Sequence, residues 1–138
     1  MSHFEAEYFQ KIKFTADKIA QFIASAERDV AIAVGSGVPE VVFKFAYDAL
    51  IKVGIALIAS RGYKVRSRVG HHVRIIEKIT EILNEPDVAV LGNKMRQDRN
   101  IDLYEGGGYV SEKDSQASLA FVKATLRKAK QALKTAST

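Results

Sequence analysis

One stretch limits the folds open to this chain more than any other. Residues 39–60, PEVVFKFAYDALIKVGIALIAS, read as a single helix. Its apolar positions Val41, Val42, Phe45, Ala46, Ala49, Leu50, Val53, Leu57 and Ile58 span a wide arc, with Phe43 and Ile55 outside it. A helix apolar on more than one side needs cover from several neighbours, so this one is expected at the centre of a bundle or at a subunit interface. Glu40, Lys44, Asp48 and Lys52 interrupt the apolar run, and no other segment is more apolar, so no membrane span is expected.

The remaining segments also read as helices. Phe4, Tyr8, Ile12, Ile19, Phe22, Ile23, Ala26 and Val30 recur at helical spacing, which predicts one long amphipathic helix from residue 4 to about 33, closed by GSGVP at 35–39. Residues 61–70, RGYKVRSRVG, read as a loop. A third helix is expected from about His71 to Asn84, and a fourth, capped by Asp87, from there to near Tyr104. GGG at 106–108 breaks the chain. Ser111 and Asp114 then resemble a capping box before a last helix whose seam is Leu119, Val122, Leu126, Ala129 and Leu133. No segment rivals these helices as a strand. The expected fold is all-α and a single domain over residues 1–138: five helices with an up-and-down four-helix-bundle core.

With 138 residues the chain can bury a core without cross-links, and it has no cysteine, which excludes disulfides and thiolate zinc sites and fits a cytoplasmic protein. The opening MSHFEAEYFQKIKF has no apolar segment of the secretory type, so no signal is expected there. Net charge is +5 and unevenly spread. Between residues 61 and 78 Arg61, Lys64, Arg66, Arg68, Arg74 and Lys78 face Glu77 alone, with His71 and His72 between them. Such a segment suits a phosphate-bearing partner, and equally a solvated surface that keeps the protein in solution. Adjacent histidines on a helix point about 100° apart and no third ligand has matching spacing, so no metal and no cofactor are expected.

LGNKMRQDRNIDLYEGG, residues 91–107, carries Arg96 and Arg99 a turn apart, Asn100 beside the second, and Tyr104 four residues later. By itself Arg99 can be a cation complementing a helix end, paired with Asp102 or Glu105. Three stretches together say more. FKFAYDALIKVGIALIASRGYKVRS at 43–67, GHH at 70–72 and RQDRNIDLYEGGGYVSEKDSQASLAFVKATL at 96–126 resemble, in order and spacing, the HEPN superfamily, the small helical bundles of nucleotidyltransferase-associated and toxin-antitoxin systems. The resemblance covers about residues 4–135.

The resemblance implies a homodimer and a metal-independent RNA-cleaving motif of an arginine, a polar residue and, four to six residues on, a histidine. Arg99 and Asn100 match its start, and Tyr104 occupies the histidine's place. A histidine changes protonation near neutral pH, whereas an unperturbed tyrosine has a pKa of about 10, so the motif is degenerate and little or no nuclease activity is expected unless His71 or His72 supplies an imidazole. The expected function is an RNA- or nucleotide-binding protein, the toxin-like component of a two-gene system. Arg99, Asn100 and Tyr104 would mark the altered catalytic place, and Arg61, Lys64, Arg66, Arg68, His71, His72, Arg74 and Arg96 the nucleic-acid surface. The alternative is a non-catalytic helical partner that binds a minimal nucleotidyltransferase and helps present its substrate.

Overall fold

The structure, a computed structural model, describes residues 3–104 and 110–136, with the backbone alone for 101–104 and 136. Five helices dominate it: α1 (Ala16–Gly35), α2 (Pro39–Ser60), α3 (His71–Leu83), α4 (Pro86–Tyr104) and α5 (Glu112–Ala136). Two short strands, β1 (Phe9–Lys11) and β2 (Tyr63–Val65), pair antiparallel with Phe9 opposite Val65 and Lys11 opposite Tyr63.

The strands correct two expectations, that residues 4–33 form one helix and that 61–70 is only a loop. The first helix begins at Ala16 because Thr15, in extended conformation, accepts a hydrogen bond from Lys18 N through its side chain. Phe4, Tyr8 and Ile12 share helical spacing by coincidence. Phe4 instead stacks on Tyr63 at 4.2 Å and meets Phe9 edge-on at 5.1 Å, so aromatic contacts hold the N-terminal segment on β2. A third correction concerns α4: Pro86 opens the helix, as its fixed φ favours, and Asp87 lies in the first turn rather than at the cap.

α2 has the bounds its sequence predicts and lies at the centre. It packs against each of the other four helices and against β2. Val42, Ala46, Tyr47, Ala49, Leu50, Val53, Leu57 and Ile58 are essentially inaccessible, and Phe45 and Ile55 are half-buried against the same core. A single copy of the chain therefore covers the apolar arc. The predicted seam of α5 is also used, with Leu119, Val122, Leu126 and Ala129 buried. Ser111 caps that helix by accepting from Asp114 N at 3.0 Å.

The α2–α3 contact is unusually close. A Cβ on Gly54 would lie 2.2 Å from Ile75 Cγ2 and 3.1 Å from two Ile79 side-chain atoms. Tyr47 is two turns before Gly54 on the same face of α2, and His72 is one turn before Ile75 on α3. The glycine notch thus sets how near the rest of that face comes to the start of α3. α4 closes the other side, with Gly92 against Ile76 and Leu50.

Gly54→Ala should lower stability by about 1–3 kcal/mol through overpacking, with a clearly reduced Tm. Gly35→Ala, where a Cβ would meet nothing within 4 Å, should cost little or nothing. Equal Tm values for the two variants would show that the helices can separate without penalty.

Candidate functional site

Three helices bring polar groups together at one place. Tyr47, in the middle of α2, is fully buried, yet its hydroxyl is 2.8 Å from Nδ1 of His72 in the first turn of α3. Gly70, at φ +81°, provides the left-handed turn that starts α3 and so places His72. On α4, Arg99 sets its guanidinium carbon 5.5 Å from the centre of the Tyr47 ring, in the range of a cation–π contact. Arg96, one turn earlier, donates through Nε to Asn93 Oδ1 at 3.3 Å. The ring of Tyr47 is therefore flanked by an imidazole and a guanidinium.

The electrostatics of this cluster are positive. His72 is held down to about 4, first by burial and then by the neighbouring His71 and Arg99, with Arg96 acting in the same sense and Asp48 opposing. Its ring is neutral at pH 7. Burial pushes the Tyr47 hydroxyl up to about 12 although Arg99 and Arg96 favour its ionisation, so it keeps its proton. Asp48, the nearby carboxylate, accepts from Lys44 at 3.0 Å and is already committed.

The sequence-predicted residues divide sharply. Arg99 and His72 meet at Tyr47, and Arg96 is near enough to act on both titrating groups electrostatically. Asn100 is exposed and joins none of the contacts of the cluster. The side chains of Asp102 and Tyr104, and residue 105, lie outside the described residues. His71 donates from Nδ1 to the Arg68 carbonyl oxygen at 2.8 Å, tying the loop to the helix start.

The basic segment splits in two. Arg61, Lys64 and Arg68 are exposed. The other three hold the N-terminal segment: Arg66 Nε donates to Ala6 O at 3.0 Å, Arg74 lies 4.0 Å over the Tyr8 ring, and Lys78 is buried against Phe4 and Phe9 while bonding to His3 O and Glu81. Of the six expected to form one phosphate-facing surface, three are therefore also engaged by aromatic rings and carbonyls of residues 3–9, and Lys78 is buried there. Among the described residues no group of three or more metal-ligating side chains occurs, and no helix is long and apolar enough to cross a membrane.

Tyr47 is the member that reading the sequence missed. It lies in an apolar run and looks like core, and the hydroxyl was its only sign. A cavity of about 460 Å³ was equally invisible; it lies between α2, α4 and α5, lined by Phe43, Met95 and Phe121 with the Lys94–Asp98 pair at its rim. Comparison of the chain with protein-family profiles, with curated proteins and with solved structures gave no match.

The depressed His72 value makes stability depend on pH. In the unfolded chain the imidazole takes up a proton near about 6.5, whereas the folded one resists until about 4, so stability is complete above the first value and falls as pH drops towards the second. Thermal melts from pH 7 to pH 4.5 should show this decline. His72→Gln should flatten it, and an unchanged slope in that variant would assign the acid sensitivity to other groups.

Proposed function

We propose that this chain is a HEPN-like helical protein that binds RNA or nucleotide phosphates and does not cleave them. The observation that carries this reading is the contact of Arg99 and His72 with Tyr47, with Arg96 adding to the same positive field; among the described residues the nearby carboxylate, Asp48, is engaged by Lys44. Guanidinium and imidazole donors in a positive field suit an anion. His71 links this cluster to Arg68, the nearest of the exposed loop cations along the chain, so a polyanion has a second group to meet.

The finer architecture belongs to the same proposal. The long helices α1, α2, α4 and α5 would form the up-and-down four-helix-bundle core, with α3 as the short additional helix. The lengths support this, α3 having 13 residues against 19 to 25 for the others. Absence of cleavage follows from the histidine missing at 104, and a homodimer in a toxin-like two-gene system follows from the resemblance. Exposed Ile32, Val34, Val38, Val90 and Leu91 offer apolar surface for such a dimer. Sedimentation equilibrium at tens of micromolar should give twice the mass of the chain; a monomer would remove that part.

Binding of a labelled single-stranded RNA, followed by fluorescence anisotropy over a salt series, tests the function. Affinity should fall steeply with salt and vary little with base sequence. Replacing Arg61, Lys64 and Arg68 together by alanine should make the slope of log affinity against log salt shallower by about 2, at about 0.7 per phosphate contact. Arg99→Ala should weaken binding further. No binding at low salt would overturn the reading, as would RNA cleavage without metal that is lost on Arg99→Ala.

A further inference from the structure

We propose that Tyr47 fixes His72 as a hydrogen-bond donor, so that His72, Arg96 and Arg99 make a donor-only receptor for one phosphate group. This rests on the phosphate-binding reading above and assigns the roles within it.

The argument begins with a buried hydroxyl. Tyr47 is inaccessible to water, and among the described residues its hydroxyl has one hydrogen-bond partner, His72 Nδ1 at 2.8 Å. Were Nδ1 to carry the ring proton, it would donate to the tyrosine oxygen and leave the buried O–H with no acceptor. A buried donor left unmade is the more expensive error, because it forfeits its bond to water and gains none. The hydroxyl therefore donates to Nδ1, and the neutral ring carries its proton on Nε2.

Two consequences follow from that tautomer. The imidazole can present only an N–H to a ligand, in the same sense as the guanidiniums of Arg99 and Arg96. No lone pair is left on it to accept a proton from an attacking hydroxyl, so His72 cannot act as a general base. The groups facing His72 are Tyr47 and Asp48 from α2, His71 from its own helix, and Arg96 and Arg99 from α4. Among the described residues Asp48 is the one carboxylate of this set, and Lys44 engages it. A phosphate oxygen would accept from the His72 and arginine N–H groups.

Tyr47 is thus a positioning residue and His72 a ligand-contacting one. The tautomer can be read directly from the unmodified full chain, labelled with ¹⁵N in its imidazoles, by long-range proton–nitrogen correlation at pH 7. An Nε2-protonated His72 is expected, and an Nδ1-protonated ring overturns the proposal whatever the variants do. Binding is then measured with adenosine 5′-monophosphate and with an oligoadenylate lacking terminal phosphates, so that terminal and internal phosphates are told apart. Saturable binding of either probe supports the receptor and assigns its phosphate type; binding of neither overturns it. Tyr47→Phe and His72→Ala should each weaken the bound probe about five- to tenfold, and His72→Gln, which keeps a donor, should recover most of the loss. Should Arg99→Ala abolish binding while Tyr47→Phe and His72→Ala leave it unchanged, phosphate binding stands and the donor role of His72 fails. Should Arg99→Ala also have no effect, both fail. The tautomer measurement decides the matter alone if Tyr47→Phe does not fold.

Discussion

The contact on which the rest depends is the close approach of α2 and α3 at Gly54. Burying α2 needs neighbours on several sides, and α3 can come near enough to serve as one because a hydrogen stands where any other residue would place a carbon. Ile75 and Ile79 fill the notch. The same approach brings the start of α3 within hydrogen-bonding distance of Tyr47, two turns away along α2. Core packing and the polar cluster are therefore set by one interface. A shift that relaxed the isoleucines would also part the tyrosine from the histidine.

That coupling explains what could be read without coordinates. The bounds of α2 follow from Pro39 and a continuous apolar arc, both local properties, and the seam of α5 from its three-and-four spacing. The site was legible in pieces: an arginine beside an asparagine, and a pair of histidines opening a helix. What joins them is a contact between residues 25 apart in sequence, made by a tyrosine that local pattern assigns to the core. No periodicity encodes which core tyrosine will find a polar partner. The N-terminal error has a different origin. Phe4, Tyr8 and Ile12 happen to repeat every fourth residue, while a three-residue strand is too short for its alternation to outweigh them. Thr15 with its bond to Lys18 N was the local signal that the helix starts later.

Charge is distributed with similar economy. A count of six cations between residues 61 and 78 treats them as equivalent, yet half of them serve the protein itself. Arg66, Arg74 and Lys78 meet backbone oxygens and aromatic faces of residues 3–9, and for Lys78, which is buried, desolvation strengthens the contact. The other three remain in solvent, where their fields reach a ligand but are screened by salt. Local charge density is thus a poor guide to the number of contacts a polyanion can make.

The way the N-terminal segment is held has a kinetic consequence. β1 pairs with β2 across more than fifty residues, and Lys78 bonds to a carbonyl 75 positions earlier. Such distant closures are entropically expensive until α2 and α3 already stand in place. Residues 3–11 are therefore expected to find their seat after the helices they rest on. During that interval β2 is an unpaired edge, Tyr63 lacks its stacking partner, and Arg66, Arg74 and Lys78 are unoccupied. A partly opened chain consequently leaves Lys78, buried in the finished fold, without its aromatic and carbonyl partners.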